Sequence, residues 1–394
     1  MSLSPFLSAA VRIGASAAAG TVVLGTALTG TAAAAPVTID PLAGVEGFNA
    51  VARYDAALAS TEMEGPLAAG GDLTLLGGYN IAAHTAGAFT APGDAAPSAL
   101  VVGGGVDWDA SSGYARVQNG YIKIGVLAAT DVLTEDANQA ARTTRAVPAG
   151  AGYDADVRVE TTEHQPGESV GADTGLNFEA LFAQFEDRSA ALASCAGANV
   201  LNISGEDLNG VAEFTFPAAP SAGDVYLINV DTTGTGGVFD WSTPNFPGIS
   251  GANAPYILWN FPDATEVTVT GGDSLQGSVY APGAAFTDES ASNLEGTVVA
   301  ASLDLGTAAA SGGELHQQPF AGAFECEAGE EEEEGGEGGW NPEAPASETP
   351  SEDESDEALP STGTSSILPV SLAALTLAAG AAALWATRTR RAQN

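Results

Sequence analysis

The sequence predicts a mostly β head built as a β-solenoid with one accompanying α-helix, then a disordered acidic stalk and a C-terminal transmembrane helix. Three observations carry the head. Between residues 40 and 326, short apolar runs are punctuated by glycine, as in PLAAGGDLTLLGG (66–78), ALVVGGGVDW (99–108), GYIKIGVL (120–127) and EVTVTGG (266–272). Two further runs, LQGSVYAPGAAF (275–286) and LEGTVVAASLDLG (294–306), share one form and start 19 residues apart. The chain also holds 49 glycines and many alanines, which suit tight corners and a thin core. Such a period fits stacked solenoid turns. An antiparallel sandwich is the alternative that this pattern leaves open.

The helix comes from NFEALFAQF (177–185), where apolar side chains recur at 178, 181, 182, 185 and then 192, one face of a helix. Asn177 or Asp173 is its expected cap. It is expected to lie along the strands and cover one side of them, its phenylalanines serving as core.

Both ends read as processing segments. Residues 1–34 fit a secretory signal peptide: Arg12, an apolar stretch over 13–28, and the alanine run 32–35 with cleavage expected after Ala34. An uncleaved membrane anchor is the alternative. Residues 359–394 begin Leu359-Pro360-Ser361-Thr362-Gly363, continue through the apolar run 367–386, and end with Arg388, Arg390 and Arg391. Twenty residues at about 1.5 Å each just cross a hydrocarbon core, and the arginines hold the end on the cytoplasmic side. This three-part order resembles the sorting signal read by sortases. The resemblance implies that the sortase thiolate attacks the Thr362–Gly363 bond and passes the Thr362 carbonyl to an amine of peptidoglycan. Leu359 would fill an apolar pocket, Pro360 would bend the peptide, and Gly363 would leave room at the scissile bond. The chain would then touch the membrane only transiently and end in a Gram-positive cell wall. The Ala/Gly richness points to a GC-rich, actinobacterial genome.

Residues 327–358 hold 14 Glu or Asp and one aromatic residue, too little apolar surface to fold, and self-repulsion keeps such a segment extended. Over the whole chain 50 acidic residues face 11 basic ones, a formal charge of −39. That field repels phosphate backbones and excludes nucleic acid as a partner. The head itself, residues 35–326, contains Cys195 and Cys326; an even cysteine count in an exported chain predicts their disulfide, with two reduced thiols as the alternative.

The string YILWNFPDAT (256–265), the two runs 19 residues apart, the GGELH segment at 312–316 with Pro319-Phe320, and the early FNAVARYD (48–55) and EGPLAAGGDLTL (64–75) together resemble the choice-of-anchor A domain. The resemblance covers most of residues 45–322, least clearly at 126–250. It implies an exported adhesive domain whose ligand, protein or glycan, is unknown, bound on an exposed strand face or on loops of the 126–250 segment. The order of small-residue turns plus a helix is also similar to β-helical ice-binding domains, an architectural likeness that does not name a ligand.

No catalytic constellation emerges, and no catalytic residue is expected. Carboxylates are too abundant for any pair to be informative, and His84, His164 and His316 lack metal-ligand spacing. Asp107 and Asp109 in VDWDASSG are the candidate calcium ligands, without the rest of an EF-hand pattern; no other cofactor is expected. The single lysine, Lys123, sits in a strand pattern that reads as buried, which argues against a pilus shaft or isopeptide cross-links. An ice-binding face would need a Thr-x-Thr ladder, and only Thr268 and Thr270 show that spacing. The leading expectation is a non-enzymatic wall-anchored adhesin. A surface enzyme acting on extracellular polysaccharide and a passive coat protein are the alternatives.

Overall fold

The computed structural model describes residues 36–326. The expected signal peptide, stalk, sorting motif and membrane span lie outside these residues. Within them the protein is mostly β, with few helices and no closed barrel. Strand pairing is parallel except where Val37–Ile39 meets Phe324–Cys326 and where Ala141–Pro148 pairs Thr130–Glu135 and Arg158–Thr161. An antiparallel sandwich is thereby removed.

Nine parallel strands run in the spatial order Val200–Ser204, Tyr226–Asp231, Ile257–Asn260, Ser278–Asp288, Val298–Leu305, Ala50–Ala52, Leu67–Ala69, Ser98–Val102 and Tyr121–Ile124. Chain order and spatial order differ. The chain enters mid-row at Ala50, proceeds to one end, crosses back, and refills the row from Val200 until Val298–Ala300 pairs Ala50–Ala52. Apart from the end strand Val200–Ser204, these strands are buried on both sides, hence their largely apolar runs. Ala50, Leu67, Leu100, Ile122, Ile228 and Trp259 point into the main core. Val51, Ala68, Val101, Leu227, Leu258, Tyr280 and Val299 point the other way, into a second core.

That second core is sealed by a helix. Three α-helices are present among the described residues: α1 (Gly167–Val170), α2 (Phe178–Ala193) and α3 (Gly205–Gly210). The sequence predicts one, because α1 and α3 are too short to show an apolar stripe. Helix α2 is capped by Asn177, whose side chain accepts from the Ala180 N–H, and buries Phe178, Phe182, Phe185, Ser189 and Leu192. It lies across the row of strands: Tyr280 donates to the Phe185 carbonyl, Asn260 bonds Ser189, and Asn229 donates to the Leu192 carbonyl. Seven helical residues rise about 10.5 Å, and two strand spacings measure about 9.6 Å, so the helix steps one strand per turn.

The 19-residue repeat is the pairing register. Leu275 pairs Leu294, and Val279 to Ala281 pair Val298 to Ala300. Beyond a bulge the offset changes, so that Ala285 meets Ser302. Gly277, between the paired segments, has φ +111°, and a Cβ there would lie 2.7 Å from Ile257. Only glycine turns that corner without strain.

Two further strand rows complete the body. One consists of Val238–Thr243, Glu266–Gly272, the second halves of Ser278–Asp288 and Val298–Leu305, Ala56–Leu58 and Leu73–Leu75. The other links Leu275–Gln276, Leu294–Glu295 and Leu315–His316, and Met63 bridges to Leu315. Beyond it Gly78–Ile81, Tyr114–Val117 and Arg158–Thr161 pair in parallel. On that last sheet Glu160 meets Arg116, Arg145 and Arg158 at 2.6–2.9 Å. Burial would raise the Glu160 pKa, but hydrogen bonds from Arg158 and Arg116 hold it below its ordinary value.

Candidate functional site

The row that starts at Val238–Thr243 is not covered by α2; only the short α3 meets it, at its edge strand through Asn209. Its inward residues, among them Phe239, Trp241, Val267, Phe286, Leu303, Leu58 and Leu73, belong to the main core. Alternation therefore turns the residues between them outward. In register they form one line: Asp240, Thr268, Thr287, Asp304, Ala57 and Thr74. At about 4.8 Å per strand the line is about 24 Å long. A second line holds Val238, Glu266, Ala285 and Ser302. All these side chains are small or short apart from Glu266, so they make an open face. Thr74, Thr268 and Thr287 are half-buried, and their hydroxyls have no hydrogen-bond partner among the described residues. Asp304 is desolvated by its neighbours, which raises its pKa above the usual carboxylate range.

The sequence-level threonine pair is replaced by a different one. Thr268 and Thr270 share a strand, but the hydroxyl of Thr270 donates to the Trp241 carbonyl. The neighbour of Thr268 on the open face is Thr287, one strand away. The signal for it was the 19-residue spacing between 268 and 287, applied across strands and not along one.

At the corner where the open face turns into the helix-covered row, a cleft of about 580 Å³ is lined by Arg53, Tyr54, Asp55, Gly70, Gly71 and the start of α2. Arg53 forms a two-pronged ion pair with Glu179, donating from Nε at 3.3 Å and from Nη2 at 2.5 Å. Its Nη1 reaches Glu186 at 2.8 Å. Tyr54 is 48 % exposed.

Two of the histidines, distant in sequence, each pair with glutamates in one neighbourhood. His84 Nδ1 lies 2.9 Å from Glu64, and Glu64 also accepts the Gln317 N–H. His316 lies between Glu295 at 2.8 Å and Glu314 at 3.1 Å. Burial pulls the His316 pKa down, but Glu314, Glu295 and Glu64 carry it above its ordinary value. Beside them fully buried Asn49 donates to the Gly296 and His316 carbonyls and accepts the Gly65 N–H. These contacts join the first-entered strands to the last. His164 stands apart, on the Arg142 carbonyl.

Asp107 and Asp109 lie in the loop after the Ser98–Val102 strand. Asp107 accepts the Ala110 N–H, both residues are exposed, and no group of three His, Cys, Asp or Glu suited to a metal ion occurs among the described residues. Lys123 is fully buried between Asp94 (3.1 Å) and the Ser169 carbonyl (2.6 Å). Cys195, just past α2, and Cys326 are joined in a disulfide. Residues 359–363 lie outside the described residues, and no described helix is long and apolar enough to cross a membrane.

Residues 41–317 match the family described as "Putative Ice-binding-like adhesive domain", and the chain belongs to that family. The match runs through 126–250, the stretch least recognisable from sequence. No curated protein and no solved structure gives a match.

Proposed function

We propose that this member of the ice-binding-like adhesive family is a cell-wall-anchored adhesin of a Gram-positive bacterium, acting without catalysis through its open face. The observation that carries the reading is the line from Asp240 to Thr74, in which outward residues of six strands stand in register on a rigid parallel sheet. Fixed rows of short side chains present hydroxyls and carboxylates with little entropy left to lose on binding. In this reading the three strand rows are the sides of a β-solenoid over residues 35–326. The acidic segment 327–358 is a spacer, and 359–394 is the sorting signal that gives Thr362 to peptidoglycan through a sortase.

The test compares cells with and without the gene in surface attachment, aggregation and biofilm assays; unchanged behaviour in all three refutes adhesion. Mass spectrometry of wall-released protein tests the anchor separately, with a chain ending at Thr362 expected. A second reading, ice attachment, draws on the adjacent Thr268 and Thr287. Asp240 and Asp304 break the threonine line, and thermal hysteresis of the purified protein decides between the two.

A further inference from the structure

We propose that the cleft beside Tyr54 is a subsite for a neutral saccharide, an inference that rests on the adhesive reading but not on the open face. The cleft, about 580 Å³, is within the range of small-ligand sites. Tyr54 forms one side, and it is the aromatic member of the few large apolar side chains left exposed among the described residues. Arg53 stacks on its ring, 5.2 Å from the centroid. An aromatic ring fixed on one side and open on the other suits the apolar C–H face of a pyranose.

The floor is bare for a steric reason. A Cβ at Gly70 would stand 2.2 Å from the Arg53 carbonyl oxygen and 2.8 Å from Phe178, and one at Gly71 would stand 2.1 Å from Asp55 Oδ1. The rim supplies both kinds of hydrogen-bonding group. Asp55 uses Oδ1 for the Asp72 N–H and leaves Oδ2 open, while Asn177 uses Oδ1 as the helix cap and leaves its amide N–H groups open. A carboxylate oxygen beside amide donors matches neighbouring hydroxyls, which both donate and accept.

Charge selects the class. Arg53 is answered by both Glu179 and Glu186, so with Asp55 the local sum is 1 − 3 = −2. Sulfated, phosphorylated and uronic sugars are repelled, and neutral hexoses are not.

The test titrates the purified full chain with gluco-, manno- and galacto-configured neutral oligosaccharides, and with a sulfated oligosaccharide for comparison. Saturable binding of at least one neutral series and none of the sulfated probe is expected. Tyr54→Ala should weaken it at least tenfold at an unchanged melting temperature, and Tyr54→Trp should retain it. Thr268→Lys, on the open face, should leave it unchanged. No binding of any neutral series, preference for the sulfated probe, or indifference to Tyr54→Ala overturns the proposal. Loss with Thr268→Lys in place of Tyr54→Ala also overturns it and moves the site to the open face. Cells carrying Thr268→Lys that lose attachment while the protein keeps its sugar affinity show two independent sites. If saccharide binding is absent but attachment depends on Thr268, the subsite alone fails.

Discussion

The docking of α2 rests on a short ladder of asparagines, and Asn260→Ala tests it. Asn260 is fully buried, accepts the Ser189 hydroxyl at 2.6 Å, and donates to the Ser189 carbonyl at 3.0 Å and to Asn229 Oδ1 at 2.9 Å. Asn229 passes the chain on, donating to the Leu192 carbonyl and to Asn202. Truncation at 260 strands the Ser189 hydroxyl and Asn229 Oδ1 between helix and strands. An orphaned buried polar group costs about 1–3 kcal/mol, so a loss of about 3 kcal/mol is expected. Urea unfolding measures it, at constant slope. The control is Ser189→Ala, which strands only Asn260 Oδ1. Since both changes remove one shared bond, the double variant should lose less than the sum, by about 1 kcal/mol. A loss below about 1 kcal/mol for Asn260→Ala, or strict additivity, would show that Phe182 and Phe185 dock the helix by apolar contact alone.

Other perturbations separate the remaining parts. Reducing the Cys195–Cys326 bridge, whose partners are 131 residues apart, should cost about 5 kcal/mol in the chain-entropy account, read as a lower urea midpoint with reductant. Stability should fall between pH 5 and pH 8. Burial pushes Asp288 up to about 7, so the folded protein keeps a proton that the unfolded chain has already released, and the benefit present below about pH 4 is gone above 7. His316, raised by its glutamates, acts in the same direction: its contribution is complete below the ordinary histidine value and lost as pH rises through the folded one. Asp288→Asn should flatten the profile, and a profile rising from pH 5 to 8 would contradict both assignments. Thr268→Lys should alter stability by no more than about 0.5 kcal/mol while reducing attachment, as expected of an exposed contact residue.

Much of the head was legible because its signals are local. Glycine-punctuated apolar runs mark strands buried on both sides, the 19-residue spacing is a true register, and the 178–192 stripe with Asn177 is a capped helix. What stayed hidden depends on chain order in space. Nothing local says that Ala50–Ala52 will pair Val298–Ala300, so neither the contact of Glu64 with both His84 and the Gln317 N–H nor the joint held by Asn49 can be read from spacing. An exposed strand face was expected, but its line of residues was missed for a related reason. A threonine row was sought along one strand, whereas the line runs across strands, where each neighbour is distant in sequence. The cleft needs Tyr54 beside residues more than 120 positions later, brought there by a helix whose course follows from the same re-entry.

Re-entry also bears on how the surface can adhere without the chain adding to itself. A row of parallel strands has two edges, and an unprotected edge recruits other strands. Here the first-entered strand lies mid-row, so neither edge is a floppy terminus. At one end Gln165, almost fully buried, mimics a strand: its side chain accepts the Ile122 N–H and donates to the Ile122 carbonyl. On the open face the edge strand Val238–Thr243 is treated the same way by Asn209, which donates to the Asp240 carbonyl and accepts the Ser242 N–H. Each amide satisfies one N–H and one C=O that another strand would otherwise use. Replacing Asn209 with leucine removes that cover beside the proposed contact line. The expected result is concentration-dependent association seen by sedimentation, with the fold retained at low concentration. A monodisperse Asn209→Leu protein would mean that side-chain charge, Asp240 above all, suffices to guard this edge, and that the amide caps serve stability alone.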